Sequence, residues 1–111
     1  MRCAILAIVG ALAACQQSEV SRSVGARCDV ADDCDQRCLA PGSQYPGGFC
    51  TIACESHNDC PDRTTCVTPE GGVCLFTCMT DPDCLFLGEG WRCLSLALQG
   101  GGILVNVCAG G

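Results

Sequence analysis

The chain has no lysine; all six of its basic residues are arginines. That excludes Schiff-base chemistry on a lysine amine. It has one histidine, His57, and so a single imidazole for acid–base work. Aromatics are scarce, with one Trp, one Tyr and three Phe. So few large side chains exclude a large single core and leave one small domain or a few small modules. No apolar run reaches the ~20 residues that a membrane-spanning helix needs. Basic charge is outweighed, twelve acidic residues standing against six arginines for a formal net charge of −6. Nucleic acids and anionic lipids are bound by basic patches, so neither is an expected partner. No C-x-C and no C-x2-C occurs, although there are fourteen cysteines. Zinc and other thiolate–metal sites usually use those spacings, and thioredoxin-like redox pairs need C-x-x-C. Neither a metal nor another cofactor is therefore expected.

Cysteine is what the chain has in plenty, and the second of the fourteen stands at a boundary. Arg2 precedes an apolar run over residues 4–14, which ends at Cys15 and gives way to Gln16, Gln17 and Ser18. The run has the length of a signal-peptide core. Ala11-Leu12-Ala13 would allow ordinary cleavage. Leu12-Ala13-Ala14-Cys15 resembles the lipobox of bacterial lipoprotein precursors. That resemblance implies removal of residues 1–14 and lipidation of Cys15, with two or three acyl chains. One chain alone anchors marginally, at about 0.8 kcal/mol per buried CH₂, whereas several anchor stably. Residues 15–27 then read as the lipidated cysteine and a polar tether. Gln16 in place of Asp favours, by the same resemblance, the outer membrane over the inner one, on its periplasmic or surface face.

With Cys3 in the removed segment and Cys15 lipidated, twelve cysteines remain, an even number in an exported chain, and disulfides are expected. They fall into three quartets. The first, over residues 28–50, is Cys28, Cys34, Cys38 and Cys50. The second, over residues 54–74, is Cys54, Cys60, Cys66 and Cys74. The third, over residues 78–108, is Cys78, Cys84, Cys93 and Cys108. The first gap of each quartet is five residues long, DVADD, ESHND and MTDPD, and each ends in Asp before cysteine, at Asp33, Asp59 and Asp83. Both joints are C-x3-C. Repetition at this period predicts a tandem array of like modules.

Between its third and fourth cysteines each module carries a Gly-rich turn, APGSQYPGG, TPEGG and QGGG. In the third module LSLAL and ILVNV flank QGGG and predict a β-hairpin with a four-residue loop. Counting outward places Cys93 opposite Cys108 and, about Glu70, Cys66 opposite Cys74. The first two cysteines of each module then lie in a compact loop able to cross over that pair. Linking first to second and third to fourth would leave the loop unattached, and linking second to third would close Cys34 to Cys38 over a strained short span. The expected disulfides are therefore Cys28–Cys38, Cys34–Cys50, Cys54–Cys66, Cys60–Cys74, Cys78–Cys93 and Cys84–Cys108. Loops of this size contribute about 3 kcal/mol each, not additively, and such staples carry most of the stability of so small a core. The expected fold class is small and disulfide-rich, with three short β-hairpin modules in tandem and little helix outside the signal peptide.

The spacing C-x5-C-x5-C-x7-C-x3-C over residues 54–78, acidic in its first gap, resembles the N-terminal cysteine-rich region of Dickkopf proteins. It also resembles the cysteine-rich repeats of exported bacterial lipoproteins, which share the DC and GG punctuation. Both resemblances imply an extracellular interaction module without catalysis.

Other residues are candidates for chemistry. Asp29, Asp32, Asp33 and Asp35 could offer oxygen ligands to Ca²⁺, although their spacing lacks EF-hand order. Asp before Cys can equally cap a short turn through its carboxylate. His57 in ESHND reads as a solvated surface residue. Trp91 is expected to pack on the disulfides of its own module. SQYPGG, residues 43–48, looks like the longest exposed loop, and Tyr45-Pro46 is a poor protease-inhibitor bait because proline there blocks most proteases. In the third hairpin Leu94, Leu96 and Leu98 share a face, as do Ile103, Val105 and Val107. That face either packs on the second module and Trp91 or stays open to dock a partner. The sequence thus points to a membrane-anchored, non-enzymatic interaction lipoprotein whose partner is a protein or other extracellular ligand. A structural envelope component and a small protease inhibitor are the alternatives.

Overall fold

The computed structural model describes residues 20–111, so Cys15 and the expected signal peptide, residues 1–14, lie outside the described residues. Short β-rich runs broken by Gly and Pro form strands only where a partner strand is close in sequence. Three antiparallel hairpins result. The first pairs β1 (Arg37–Leu39) with β2 (Phe49–Thr51), the second β3 (Thr64–Val67) with β4 (Val73–Phe76), and the third β5 (Trp91–Ala97) with β6 (Leu104–Gly110). Cys38 faces Cys50, Cys66 faces Cys74 and Cys93 faces Cys108. The third hairpin closes through a Leu98 amide donating to the Ile103 carbonyl at 2.8 Å, leaving a loop of residues 99–102. Among the described residues, helix is confined to 3₁₀ turns at Ala31–Asp33, His57–Asp59, Pro69–Gly71 and Asp81–Leu87. The fold is the small, disulfide-rich, three-hairpin architecture that the cysteine spacing predicts.

The C-x3-C joints explain how one hairpin is set against the next. After β2 the chain runs on so that Ala53 bridges Val73 of β4, and after β4 it runs on so that Thr77 bridges Val107 of β6. In both cases the residue before a module's first cysteine meets the residue before its fourth. The last strand of each hairpin is therefore the lead-in to the edge of the following one. Side chains reinforce the first joint: the Thr51 hydroxyl donates to the Cys74 carbonyl at 2.7 Å and accepts from the Cys74 amide at 3.1 Å.

The first module has a lead-in as well: of the segment 15–27, expected as a polar tether, the described residues from Val20 onward pack into the fold. The Cys50 amide donates to the Ala26 carbonyl at 2.8 Å, as the Cys74 amide does to that of Ile52 at 3.3 Å. Ala26 and Ile52 each stand two residues before a first cysteine. Gly25 completes the pairing by donating to the Cys50 carbonyl at 2.8 Å. Val24 is buried in the core and Val20 packs against it. Polar composition concealed this segment because a lead-in strand needs backbone hydrogen bonds and one buried valine, not an apolar run.

Tandem order also understates the packing, for the third module folds back on the first. The Gly110 amide donates to the Gln44 carbonyl at 2.7 Å. Trp91, expected on its own disulfides, instead tilts against Phe49 with ring centroids 5.3 Å apart, and its indole N–H donates to the Pro46 carbonyl at 3.0 Å. The indole is both a large apolar body and a single donor, and the first module offers a matching ring and a carbonyl to accept the bond. Phe49 in turn meets Phe76 edge-on at 6.1 Å. One buried cluster consequently runs through Leu39 and Phe49, Val67 and Leu75, and Leu87 and Val107.

Candidate functional site

Each module opens with the same acidic knuckle. A carboxylate oxygen of Asp33 accepts the amides of Asp29 (2.9 Å) and Val30 (3.3 Å). Asp59 does the same for Glu55 (2.8 Å) and Ser56 (3.3 Å), and Asp83 for Met79 (2.8 Å) and Thr80 (3.0 Å). The carboxylate satisfies amides that a short 3₁₀ turn leaves orphaned. These hydrogen bonds hold the carboxyls of Asp33 and Asp83 below the ordinary aspartate range. The aspartate of each D-C pair is thus a turn cap. Of the other Ca²⁺ candidates, Asp35 accepts from Arg22 Nε at 3.4 Å and from the Ser23 hydroxyl at 2.8 Å, while Asp29 and Asp32 are exposed.

Among the described residues six disulfides join Cys28 to Cys38, Cys34 to Cys50, Cys54 to Cys66, Cys60 to Cys74, Cys78 to Cys93 and Cys84 to Cys108. The hairpin pair of each module is therefore tied to its knuckle at two points. In each module the two bonds lie side by side: the sulfurs of Cys28, Cys34 and Cys38, for example, fall within 4.8 Å of one another. Such groups have the spacing of a thiolate metal site, but every one of these sulfurs is taken up in an S–S bond, and no free cysteine occurs among the described residues.

His57 is exposed in its 3₁₀ turn, with Nδ1 3.3 Å from the Thr65 hydroxyl. Within the loop SQYPGG, Ser43, Gln44 and Gly47 are exposed, but its centre is anchored inward. Tyr45 is 6% exposed and Gly48 is buried, because this loop receives Trp91 and Gly110 of the third module. Burial and the Glu70 carboxylate push the Tyr45 phenol up. Arg37 completes that contact between the first two modules, with Nη1 donating to the Glu70 carbonyl at 3.0 Å.

The apolar face of the third hairpin is largely spent on packing. Val107 is buried, and Leu96 and Val105 pack against the core. The Thr68 amide donates to the Ala97 carbonyl at 2.9 Å, and the Gln99 amide to the Cys66 carbonyl at 3.0 Å. Among its large apolar side chains, Ile103 and Leu104 at the tip stay exposed.

A second exposed apolar group was hidden in the sequence. Met79, Leu85 and Phe86 are 83%, 65% and 49% exposed. Phe86 meets Phe76 edge-on at 5.1 Å. A groove of about 460 Å³ runs between Phe76, Met79, Asp83 and Phe86, with Arg63 at its side. The 3₁₀ period explains the exposure. Cys84 and Leu87, three residues apart, share the buried face, so Leu85 and Phe86 must point outward. Three successive apolar residues in a turn of period three were the available signal.

No protein-family model, curated protein or solved structure matches the chain. Among the described residues no helix is long and apolar enough to cross a membrane.

Proposed function

We propose that this protein is an exported lipoprotein, anchored through Cys15, that serves as a non-catalytic binding module at the bacterial outer membrane. The observation that carries the reading is the complete use of twelve cysteines in six disulfides, downstream of Leu12-Ala13-Ala14-Cys15. Disulfides of this density belong to oxidising compartments. The stapled knuckles and hairpins form a rigid scaffold for recognition, and its acidic surface favours a protein or other extracellular ligand over nucleic acid. The buried Tyr45 supports this reading over a protease inhibitor that would present Tyr45-Pro46 as bait.

Intact-cell protease shaving with mass spectrometry of the N-terminal peptide tests the reading. The expected result is a diacylated or triacylated Cys15 at the mature terminus. In parallel, Cys15→Ser should leave the membrane fraction without unfolding. An unmodified peptide, or a Ser variant that still sediments with membranes after a high-salt wash, would overturn the anchor.

A further inference from the structure

We propose that Met79, Leu85 and Phe86 form the face on which the anchored protein rests against its own membrane. The inference depends on lipidation of Cys15 and adds an orientation to it. Phe86, with Met79 on the same groove, lies close to where the described chain begins. A Cβ built on Gly25 would lie 3.2 Å from Val20 Cα and 3.0 Å from the Phe76 ring. Phe86 packs on that same ring. Val20 and Phe86 are therefore linked through the Phe76 ring.

The short tether makes this proximity consequential. With Val20 docked, five residue steps separate it from Cys15, a reach of roughly 17 Å at full extension. A body held so closely must turn the surface around Val20 toward the bilayer. That surface carries Met79, Leu85 and Phe86. The other exposed apolar pair, Ile103 and Leu104, lies beyond the opposite end of the β3–β4 hairpin, where Leu98 bridges Val67. Charge settles the kind of contact. Asp81 and Asp83 border the patch and Arg63 alone lines the groove from the basic side. Attraction to anionic headgroups is therefore not the source of the contact. The occupant is the boundary between headgroups and acyl chains of the anchoring leaflet, and the contact should resist salt.

Brominated-lipid quenching of the full-length, lipidated protein in phosphatidylcholine vesicles tests this. Trp91, buried against Phe49, supplies the baseline emission. Leu85→Trp and Met79→Trp each place a reporter on an exposed position of the patch, and Leu104→Trp places one on the hairpin tip. Emission of the first two should shift to the blue and fall in brominated vesicles, at low and high salt alike, and that of the third should not. The proposal is overturned if both patch reporters stay unquenched while the protein floats with the vesicles, in which case the anchor stands and the body stands off. Equal quenching of Leu104→Trp overturns it as well, as does concentration-dependent dimerisation that shields the patch reporters from the lipid. Failure of the unmodified protein to float, together with a lipid-free Cys15 peptide, instead overturns the lipoprotein reading itself.

Discussion

The hydroxyl of Thr51 donates to the Cys74 carbonyl and accepts from the Cys74 amide, an N–H it shares with the Ile52 carbonyl. Thr51 is fully buried. Thr51→Val keeps the shape and removes both bonds at the joint between the first two modules. Stability should fall by about 1–2 kcal/mol, the cost of stranding buried polar groups. For a domain of this size that corresponds to a Tm lower by about 4–8 °C per kcal/mol. Thr51→Ser retains the hydroxyl and should lose less. A larger loss in Thr51→Ser than in Thr51→Val would show that the methyl group, not the hydrogen bonding, matters there.

The aspartate caps predict a response to acid. The Asp33 and Asp83 carboxyls titrate below their ordinary value because each accepts two backbone amides. A carboxyl whose pKa is lowered on folding contributes stability above its unfolded pKa, about 3.9, and loses it as pH falls through the folded value. Exchange of the Asp29, Val30, Met79 and Thr80 amides should therefore be slow above about pH 4, after correction for intrinsic rates, and accelerate below it. Asp33→Asn with Asp83→Asn should flatten that dependence. Unchanged pH profiles in the double variant would mean that the disulfides alone hold the knuckles.

Gly48 and Gly72 stand two residues before the fourth cysteine of their modules, and each faces the carbonyl of that module's first cysteine. A Cβ would lie 1.9 Å from the Cys28 oxygen at Gly48 and 2.5 Å from the Cys54 oxygen at Gly72. Both have positive φ, +82° and +107°. Gly71 has φ +85° but open space around its Cβ position. Gly71→Ala should therefore show backbone strain only, about 1–2 kcal/mol. Gly48→Ala and Gly72→Ala should in addition break the contact with the first cysteine and yield scrambled disulfides on oxidative refolding. Peptide mapping of the refolded species distinguishes the two outcomes; native pairing in all three variants would refute the close-approach argument.

Local features were readable from residue spacing, and long-range ones were not. The Gly-rich turns fix the hairpin registers, which is why residue counting alone puts Cys66 opposite Cys74 and Cys93 opposite Cys108. Asp33, Asp59 and Asp83 could be read as caps because a cap and its amides lie within four residues. The docking of residues 20–26 could not, since it depends on backbone pairing with Cys50, a partner more than twenty residues away. The direction of Trp91 was hidden for the same reason: its partners Phe49 and Pro46 are brought near only when the third hairpin closes over the first module. The exposure of Leu85 and Phe86 follows from the 3₁₀ geometry and not from their apolar composition.

The closing contact also decides how the protein unfolds. Tandem modules that touch only their neighbours unfold approximately as a sum of local units. Here the third module touches the first through Trp91 and Gly110, and one buried cluster passes through all three. Although each module is stapled by its own disulfides, the three should melt as a single cooperative unit with the disulfides intact. The calorimetric enthalpy should equal the van't Hoff enthalpy. Trp91→Ala should lower stability by about 3–5 kcal/mol, as for other buried aromatics. The change should appear in amide protection at Phe49 in the first module as strongly as at Val107 in the third. Trp91→Phe keeps a ring against Phe49 and loses only the bond to Pro46, so its cost should be nearer about 1 kcal/mol. Two resolved transitions in the wild type, or protection lost in the third module alone, would mean that the modules are independent and the contact at Trp91 is incidental.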